Sequence, residues 1–231
     1  QLYPHRDPNV ELLIQQLATH RIVSAVQKSG GTQLKLVISF PNYGQAMLKP
    51  HEERDEETNS NLYYFSDFER HNAEIAAFHL DRILGYRRIP PAVGRLVDVV
   101  KEIKNVTTDR KLARTFYTSL GSVCFYGQCS YYCSMEHAVC GRPTVLEASL
   151  AVMLPDVSLA TRKSWRSPWR RSYSRSKLAK WETQPNYCAT VKTTPPYDEG
   201  TRLVDFMDMV ILDFLMRKMN AFHYEAHPSG E

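Results

Sequence analysis

Gln33-Leu-Lys-Leu-Val-Ile-Ser-Phe-Pro-Asn-Tyr-Gly-Gln-Ala-Met-Leu-Lys49 is the stretch on which the fold turns. Leu34, Leu36, Ile38 and Phe40 fall on one face at a period of two, so the first half reads as a strand. Pro41 to Gly44 is a turn, and Gln45 to Lys49 returns as a second strand, stopped by Pro50. The segment is therefore a hairpin with a lysine at the end of its return strand. An acidic run, His51-Glu-Glu-Arg-Asp-Glu-Glu57, follows and is most simply a solvated loop.

The strongest helix in the chain comes next, over Asp67 to Leu84. Ser66-Asp-Phe-Glu69 fits a capping box, with Ser66 as cap and Glu69 at the third helical position. Helical spacing from Glu69 runs through Ala73, Ala76, Leu80 and Ile83, which predicts an inward apolar stripe with the carboxylate at its N-terminal end. Gly85 stops the helix. A strand lysine followed by a helix glutamate is the arrangement with which protein kinases hold nucleotide phosphates. The glycine-rich loop that usually accompanies it is absent. The plainer reading makes Glu69 a capping residue and Lys49 a strand-end charge.

Around this centre, Asn9 to Gln27 carries Val10, Leu13, Ile14, Leu17 and Val26 near helical spacing and reads as a helix. Pro90 to Thr118 suggests strands bearing Val93, Leu96, Val97 and Val99. Val145 to Leu154 is mostly apolar. A final helix, Arg202 to Met219, has Leu203, Phe206, Met207, Val210, Ile211, Phe214 and Leu215 on a broad face that predicts deep burial. The order implies an α+β chain, with 1–150 as one region and a mostly helical 151–231 as another.

Four of the five cysteines fall in Cys124-Phe-Tyr-Gly-Gln-Cys129-Ser-Tyr-Tyr-Cys133-Ser-Met-Glu-His-Ala-Val-Cys140, and Cys188 stands apart. Such density points to a disulfide-stapled loop made in an oxidising compartment. Four cysteines allow three pairings. The nested one suits the spacing, but the residues alone do not choose. A zinc site is the weaker rival, since no Cys-x-x-Cys pair occurs and His137 is the only nearby imidazole. Asn105-Val-Thr107 is a glycosylation sequon consistent with that compartment. Gln1-Leu-Tyr-Pro4 carries neither an initiator methionine nor a signal pattern, so an export signal is expected upstream.

At 231 residues and 43% hydrophobic, the chain can bury a substantial core. No apolar run approaches the roughly 18 residues of a membrane span. A net charge of +4 is too modest to signal nucleic-acid binding. Basic residues do concentrate with aromatics between Arg162 and Lys177. That stretch could hold acidic glycan or protein through Arg166, Arg170 and Arg171. Equally, its aromatics could anchor a surface loop whose arginines point outward.

Phe65 to Leu84, Cys124 to Cys133, Trp165 to Tyr173 and Thr194-Pro-Pro-Tyr-Asp198 together closely resemble the secretory-pathway kinase family. That family includes the Golgi casein kinase, a glycosaminoglycan xylosylkinase and a pseudokinase, and it is related to the Four-jointed kinase. The casein-kinase branch looks nearest. The resemblance implies a two-lobed atypical protein-kinase-like fold that uses ATP and manganese in the Golgi lumen to phosphorylate secreted proteins at Ser-x-Glu sites. It assigns nucleotide contacts to Gln33, Lys49 and Glu69, metal binding to Glu69, and the adenine hinge to Ala151, Val152, Met153 and Leu154. It also implies the pairs Cys124–Cys140 and Cys129–Cys133, with Cys188 left without its partner.

Two departures matter. The family's active members read Met-Asp-Arg-His-His-Tyr-Glu after the last helix, with the aspartate as catalytic base. Here the stretch is Met219-Asn-Ala-Phe-His-Tyr-Glu225, so Asn220 stands at the base position. An amide cannot take up the substrate hydroxyl's proton, and losing general-base help typically lowers the rate by roughly 10²–10⁴. The family's metal-binding strand is also not found before Glu231. The expectation is a chain inactive as written, either as part of an active Ser/Thr protein kinase or as a nucleotide-binding pseudokinase that regulates a paralogous kinase; a secreted acidic-glycan-binding module and a glycan xylosylkinase rank below these. The Glu69 carboxylate is kept, whereas the pseudokinase branch carries glutamine there.

Overall fold

The computed structural model describes residues 1–30, 33–51, 70–128, 133–170, 176–216 and 223–226. The chain divides into two compact units, Gln1–Leu154 and Pro155–Glu231. The first holds a five-stranded sheet in the order β1 (Ser24–Gln27), β2 (Leu36–Ser39), β3 (Gln45–Pro50), β8 (Val145–Val152), β4 (Ala92–Asp98), antiparallel throughout.

Helix α1 spans Pro8–Thr19, and the Asp7 carboxylate accepts the Asn9 N–H at its start. Helical spacing of apolar residues suggested that it continues to Gln27. It ends instead at His20, whose backbone is extended, and Ser24–Gln27 forms β1 against β2. Ile22 and Val23 are β-branched, and a ladder partner stands ready in the hairpin, so strand pairing overrides the helical period.

The hairpin is as the alternation predicts. Leu34, Leu36, Ile38 and Phe40 are all buried, although the regular ladder covers only Leu36–Ser39. At its tip the Phe40 N–H donates to the Gly44 carbonyl, and the Asn42 side chain accepts the Gly44 N–H. With Leu48, Leu146, Leu150, Val93 and Val97, these residues build the main core. Each fully buried Leu or Ile contributes about 1.5–3 kcal/mol.

β4 does not run on through Val99 as a strand. Asp98 accepts the N–H groups of Val100 and Lys101 and starts a short π-helical turn, Val99–Lys104, that buries Val99 and Ile103. Leu96, one of the apolar residues of that strand, is 64% exposed. Arg95 ties three elements together. Its guanidinium donates to the Leu17 and His20 carbonyls at the end of α1 and pairs with Glu102 in the turn.

A short helix α3 (Arg110–Ala113) leads to the sheet β5 (Tyr117–Ser119), β6 (Ser122–Phe125), β7 (Val139–Cys140). Cys124 lies opposite Cys140 in the β6–β7 ladder and is disulfide-bonded to it. Cys133 is also disulfide-bonded, and the partner that the nested pairing gives it, Cys129, lies outside the described residues. Cys188 is an exposed free thiol.

The second unit contains β9 (Lys163–Arg166) paired with β10 (His223–Ala226), the short helices α4 (Lys180–Thr183) and α5 (Tyr187–Lys192), and α6 (Arg202–Leu215). Arg162 and Glu225 form an ion pair at 2.5 Å beside the two strands. Trp169 stacks on Phe206, Trp165 lies under the Arg202 guanidinium, and the Trp181 indole donates to the Trp169 carbonyl. The aromatics thus anchor this segment while Arg166 and Arg170 face solvent; Arg171 lies outside the described residues. The deep burial predicted for α6 does not hold across its face. Phe206 and Leu212 are buried, but Met207, Ile211, Phe214 and Leu215 are exposed in the described structure. Among the described residues, no helix is long and apolar enough to cross a membrane.

Candidate functional site

The site is built on one face of the five-stranded sheet. Lys49 on β3 and Gly94 on β4 both stand opposite Ser149 on β8, the strand between them, so these three residues share a side of the sheet. Helix α2 (Arg70–Ile83) crosses that side. A Cβ on Gly94 would come within 3.1 Å of Ile75 Cδ1, so the helix approaches too closely there for most side chains to fit without displacement.

The buried face of α2 is not the predicted stripe. Ala76 is exposed and Ile83 is 80% exposed. Instead His71, Phe78 and Asp81 are buried and Glu74 is half-buried. These four recur at three- and four-residue steps, nearly opposite Ala73, Ala76, Leu80 and Ile83 around the helix. A search for apolar positions passes over this face because three of its four members are ionisable.

Glu74 meets the hairpin lysine: Lys49 Nζ donates to Glu74 Oε1 at 2.5 Å. The bond is charge-assisted, with both side chains still partly open to water. Glu69, which sequence reasoning placed opposite Lys49, lies outside the described residues, as do Ser66 and the capping box.

One turn before Glu74, the buried His71 uses both ring nitrogens. Nε2 stands 3.3 Å from Glu147 Oε2, and Nδ1 stands 3.2 Å from His51 Nδ1. Two Nδ1 atoms share a hydrogen bond only when one carries the proton and the other a lone pair, so the two rings are not both doubly protonated. A cavity of about 420 Å³, lined among others by His51, Leu96, Arg142 and Glu147, opens beside this group. Neither Lys49 nor the end of β8 lines it, so no phosphate contact by Lys49 is assigned there.

Asp81 sits at the far end of α2, fully buried. Its carboxylate accepts the N–H groups of Arg88 and Ile89. Burial pushes its pKa above the usual carboxylate range, and those two N–H bonds together with the charges of Arg88 and Arg87 pull only part of the way back. The group fixes the connector between α2 and β4.

The other predicted residues fall as follows. Ala151 and Val152 close β8, with Ala151 opposite Met47 and Ala92. The Val152 N–H donates to the Pro91 carbonyl and the Met153 N–H to the Gln45 carbonyl, so neighbouring strands pin the segment from both sides. Leu154 is the last residue of the first unit. Gln33 is half-buried just ahead of β2. Asn105 is exposed after the π-helical turn, and the Thr107 hydroxyl accepts the Asp109 N–H. Asn220 lies outside the described residues. The structure therefore joins Lys49 to α2 and fixes residues 151–153 by their backbone.

What this arrangement offers chemically is an ammonium held in place by a carboxylate, able to meet an anionic oxygen without a search through lysine rotamers. It does not by itself offer a metal cage. No group of three His, Cys, Asp or Glu among the described residues is arranged to hold an ion.

The family model described as "Fam20C: Golgi casein kinase, C-terminal, Fam20" matches residues 1–230. The human extracellular serine/threonine protein kinase FAM20C is 58% identical over 227 residues, covering 97% of this chain and 39% of that protein. Human pseudokinase FAM20A is 46% identical over 243 residues, covering 97% of this chain and 45% of that protein. A crystal structure of the Golgi casein kinase with Mn/ADP bound superposes with a TM-score of 0.86 at 44% identity, covering 94% of this chain and 52% of that one. The chain thus spans about half the length, or less, of these proteins. With an α+β, kinase-like architecture and a family match over nearly every residue, the chain belongs to the Fam20 family, to its Golgi casein kinase C-terminal domain.

Proposed function

We propose that this chain carries the nucleotide-binding part of a secretory-pathway Ser/Thr protein kinase that uses ATP with manganese. The observation that carries this reading is the Lys49–Glu74 ion pair between β3 and α2. It gives the ammonium a fixed place from which to contact nucleotide phosphates. In the same reading Gln33 adds a polar contact, Ala151 to Leu154 receive the adenine, and Glu69 supplies a metal ligand. Manganese would neutralise developing phosphoryl charge. The protein substrates would be acidic, of Ser-x-Glu type, met in the Golgi lumen or after secretion. The disulfide-bonded loop and the exposed Asn105, a candidate for glycosylation, fit an oxidising compartment. Cys129–Cys133 is the proposed second disulfide.

Asn220 favours a second form of this reading, in which nucleotide is bound but phosphate is not transferred efficiently. Such a chain would act on a paralogous kinase by binding it. One experiment separates the two. Calorimetric titration with ADP and Mn²⁺ should give binding in wild type that Lys49→Met weakens about a hundredfold or more. A Ser-x-Glu peptide incubated with labelled ATP should then stay unmodified, or nearly so, under the pseudokinase form. Absence of any nucleotide binding by folded protein would remove both forms.

A further inference from the structure

The N-terminal residues ahead of α1 make a set of contacts that the nucleotide reading does not use. The Leu2 N–H donates to the Arg87 carbonyl at 2.7 Å. The Gln1 side chain donates to the Gly85 carbonyl and accepts from Arg87 Nη2. The strap formed by residues 1–7 therefore lies along the connector that leaves the C-terminal end of α2.

That connector is held in an unfavourable backbone state. Arg87 has φ +51, in the left-handed region that residues with a Cβ seldom enter. Both its carbonyl and its guanidinium are engaged by the strap. One residue on, the Arg88 N–H reaches back to the Asp81 carboxylate. Strap, connector and α2 are thus joined in sequence by hydrogen bonds.

Tyr3 supplies the apolar half of the same joint. A second core cluster, separate from the main one, consists of Val10 on α1, Phe78 on α2 and Ala92 on β4. Packed against it are Tyr3, Ile14, Ile89 and Ala151. Ala151 belongs to the proposed adenine segment. The Tyr3 hydroxyl is buried and finds no hydrogen-bond partner among the described residues. Its ring, not its hydroxyl, is what the site uses. The remaining tie between α1 and α2, Arg82–Glu11, is more exposed and contributes at most modestly.

We propose that Tyr3 is a positioning residue: the strap, through its ring, sets the place of α2 and hence of Glu74 against Lys49. α2 is only 14 residues long, so displacement of its C-terminal half is transmitted to Glu74 four residues before Phe78. The part of this proposal that concerns nucleotide affinity rests on the function proposed above. The part that concerns α2 does not.

The test compares Tyr3→Ala, Tyr3→Phe and Leu2→Pro in the full chain. The last removes the N–H donated to Arg87 but keeps the ring, and serves if Tyr3→Ala does not fold. Amide hydrogen exchange is followed over 71–90 and over the sheet, alongside calorimetric Kd for ADP with Mn²⁺. In Tyr3→Ala we expect exchange in 71–90 to rise at least tenfold while β3 and β8 change less than threefold, and the Kd to rise about five- to tenfold. Leu2→Pro should show the same pattern at smaller amplitude. Tyr3→Phe should match wild type in both measurements. Equal acceleration of α2 and the sheet would mean that Tyr3 merely stabilises the fold, and unchanged exchange in 71–90 would mean that the strap holds nothing; either overturns the proposal. If wild type binds no nucleotide, the functional reading falls, while the exchange pattern still decides whether the strap positions α2.

Discussion

Lys49 Nζ lies 2.5 Å from Glu74 Oε1, and the two side chains remain 32% and 18% exposed. That partial exposure separates their worth to the fold from their worth to a ligand. A pair that still reaches water contributes about 0–1 kcal/mol to stability. A phosphate brought against the same ammonium would depend on it far more, because hydrogen bonds to charged groups are worth about 1.5–3 kcal/mol. Glu74→Gln should therefore weaken ADP–Mn²⁺ binding about tenfold, and Lys49→Met about a hundredfold or more, with unfolding free energy changed by about 1 kcal/mol or less. Calorimetry and urea denaturation on the same samples check this. A stability loss as large as the affinity loss would make the pair structural.

Arg95 presents the opposite case. Its side chain is only 10% exposed and its three partners are the Leu17 carbonyl, the His20 carbonyl and the Glu102 carboxylate. The guanidinium sits where the carbonyls of α1 run out of partners, a position that favours a cation. Arg95→Ala strands the half-buried Glu102 and two carbonyls, and should destabilise the first unit by about 3–5 kcal/mol. Arg95→Lys should recover only part of this, since one ammonium cannot reproduce the planar fork. Denaturant midpoints for the two variants provide the measurement. Equal midpoints would show that charge alone matters at this position.

The bond between Cys124 and Cys140 closes a loop with a sequence separation of 16. Restricting an unfolded chain by a loop of that size stabilises the folded state by about 3 kcal/mol. The double variant Cys124→Ser/Cys140→Ser should lose about that much, read as a fall in Tm. Cys188→Ser should leave Tm unchanged, because that thiol is exposed and free. A matching loss in Cys188→Ser would mean that the thiol is engaged in solution.

The hairpin was legible because its signal is local. Leu34, Leu36, Ile38 and Phe40 are buried as their alternation requires, and the turn residues sit where Asn42 and Gly44 can close it. What local pattern misled was the ownership of segments by distant partners. Ser24–Gln27 has a helical spacing behind it, yet pairs with β2 across the sheet. On α2 the difficulty was chemical. Hydrophobicity marks one side of the helix, whereas the sheet accepts the side bearing His71, Glu74 and Asp81, because Glu147, Lys49 and the connector N–H groups satisfy them there. A buried polar face cannot be told from a solvated one until its partners are known. Glu74 was invisible as a site residue for that reason.

Asp81 supplies a prediction whose sign can be worked out. Its folded pKa is raised, chiefly by burial, above the ordinary carboxylate value. The folded state therefore binds this proton more readily than the unfolded chain does. The associated stability is fully present below the ordinary value, about 4, and is lost as pH rises through the folded pKa. Asp81→Asn is neutral throughout and can still accept the Arg88 and Ile89 N–H groups through its carbonyl oxygen. Relative to wild type, its unfolding free energy should therefore climb as pH rises from about 4 through the folded pKa of Asp81, and level off above it. Asp81→Ala removes the acceptor altogether. It leaves two half-buried N–H groups unpaired and should destabilise the protein by about 2–4 kcal/mol below about pH 4, and by less at higher pH, where wild type loses the stability tied to the Asp81 proton. Urea titrations at a series of pH values distinguish the variants. Should Asp81→Asn instead lose ground to wild type as pH rises, the ionised carboxylate is favoured by its N–H bonds more strongly than burial opposes it, and the raised pKa is wrong in sign.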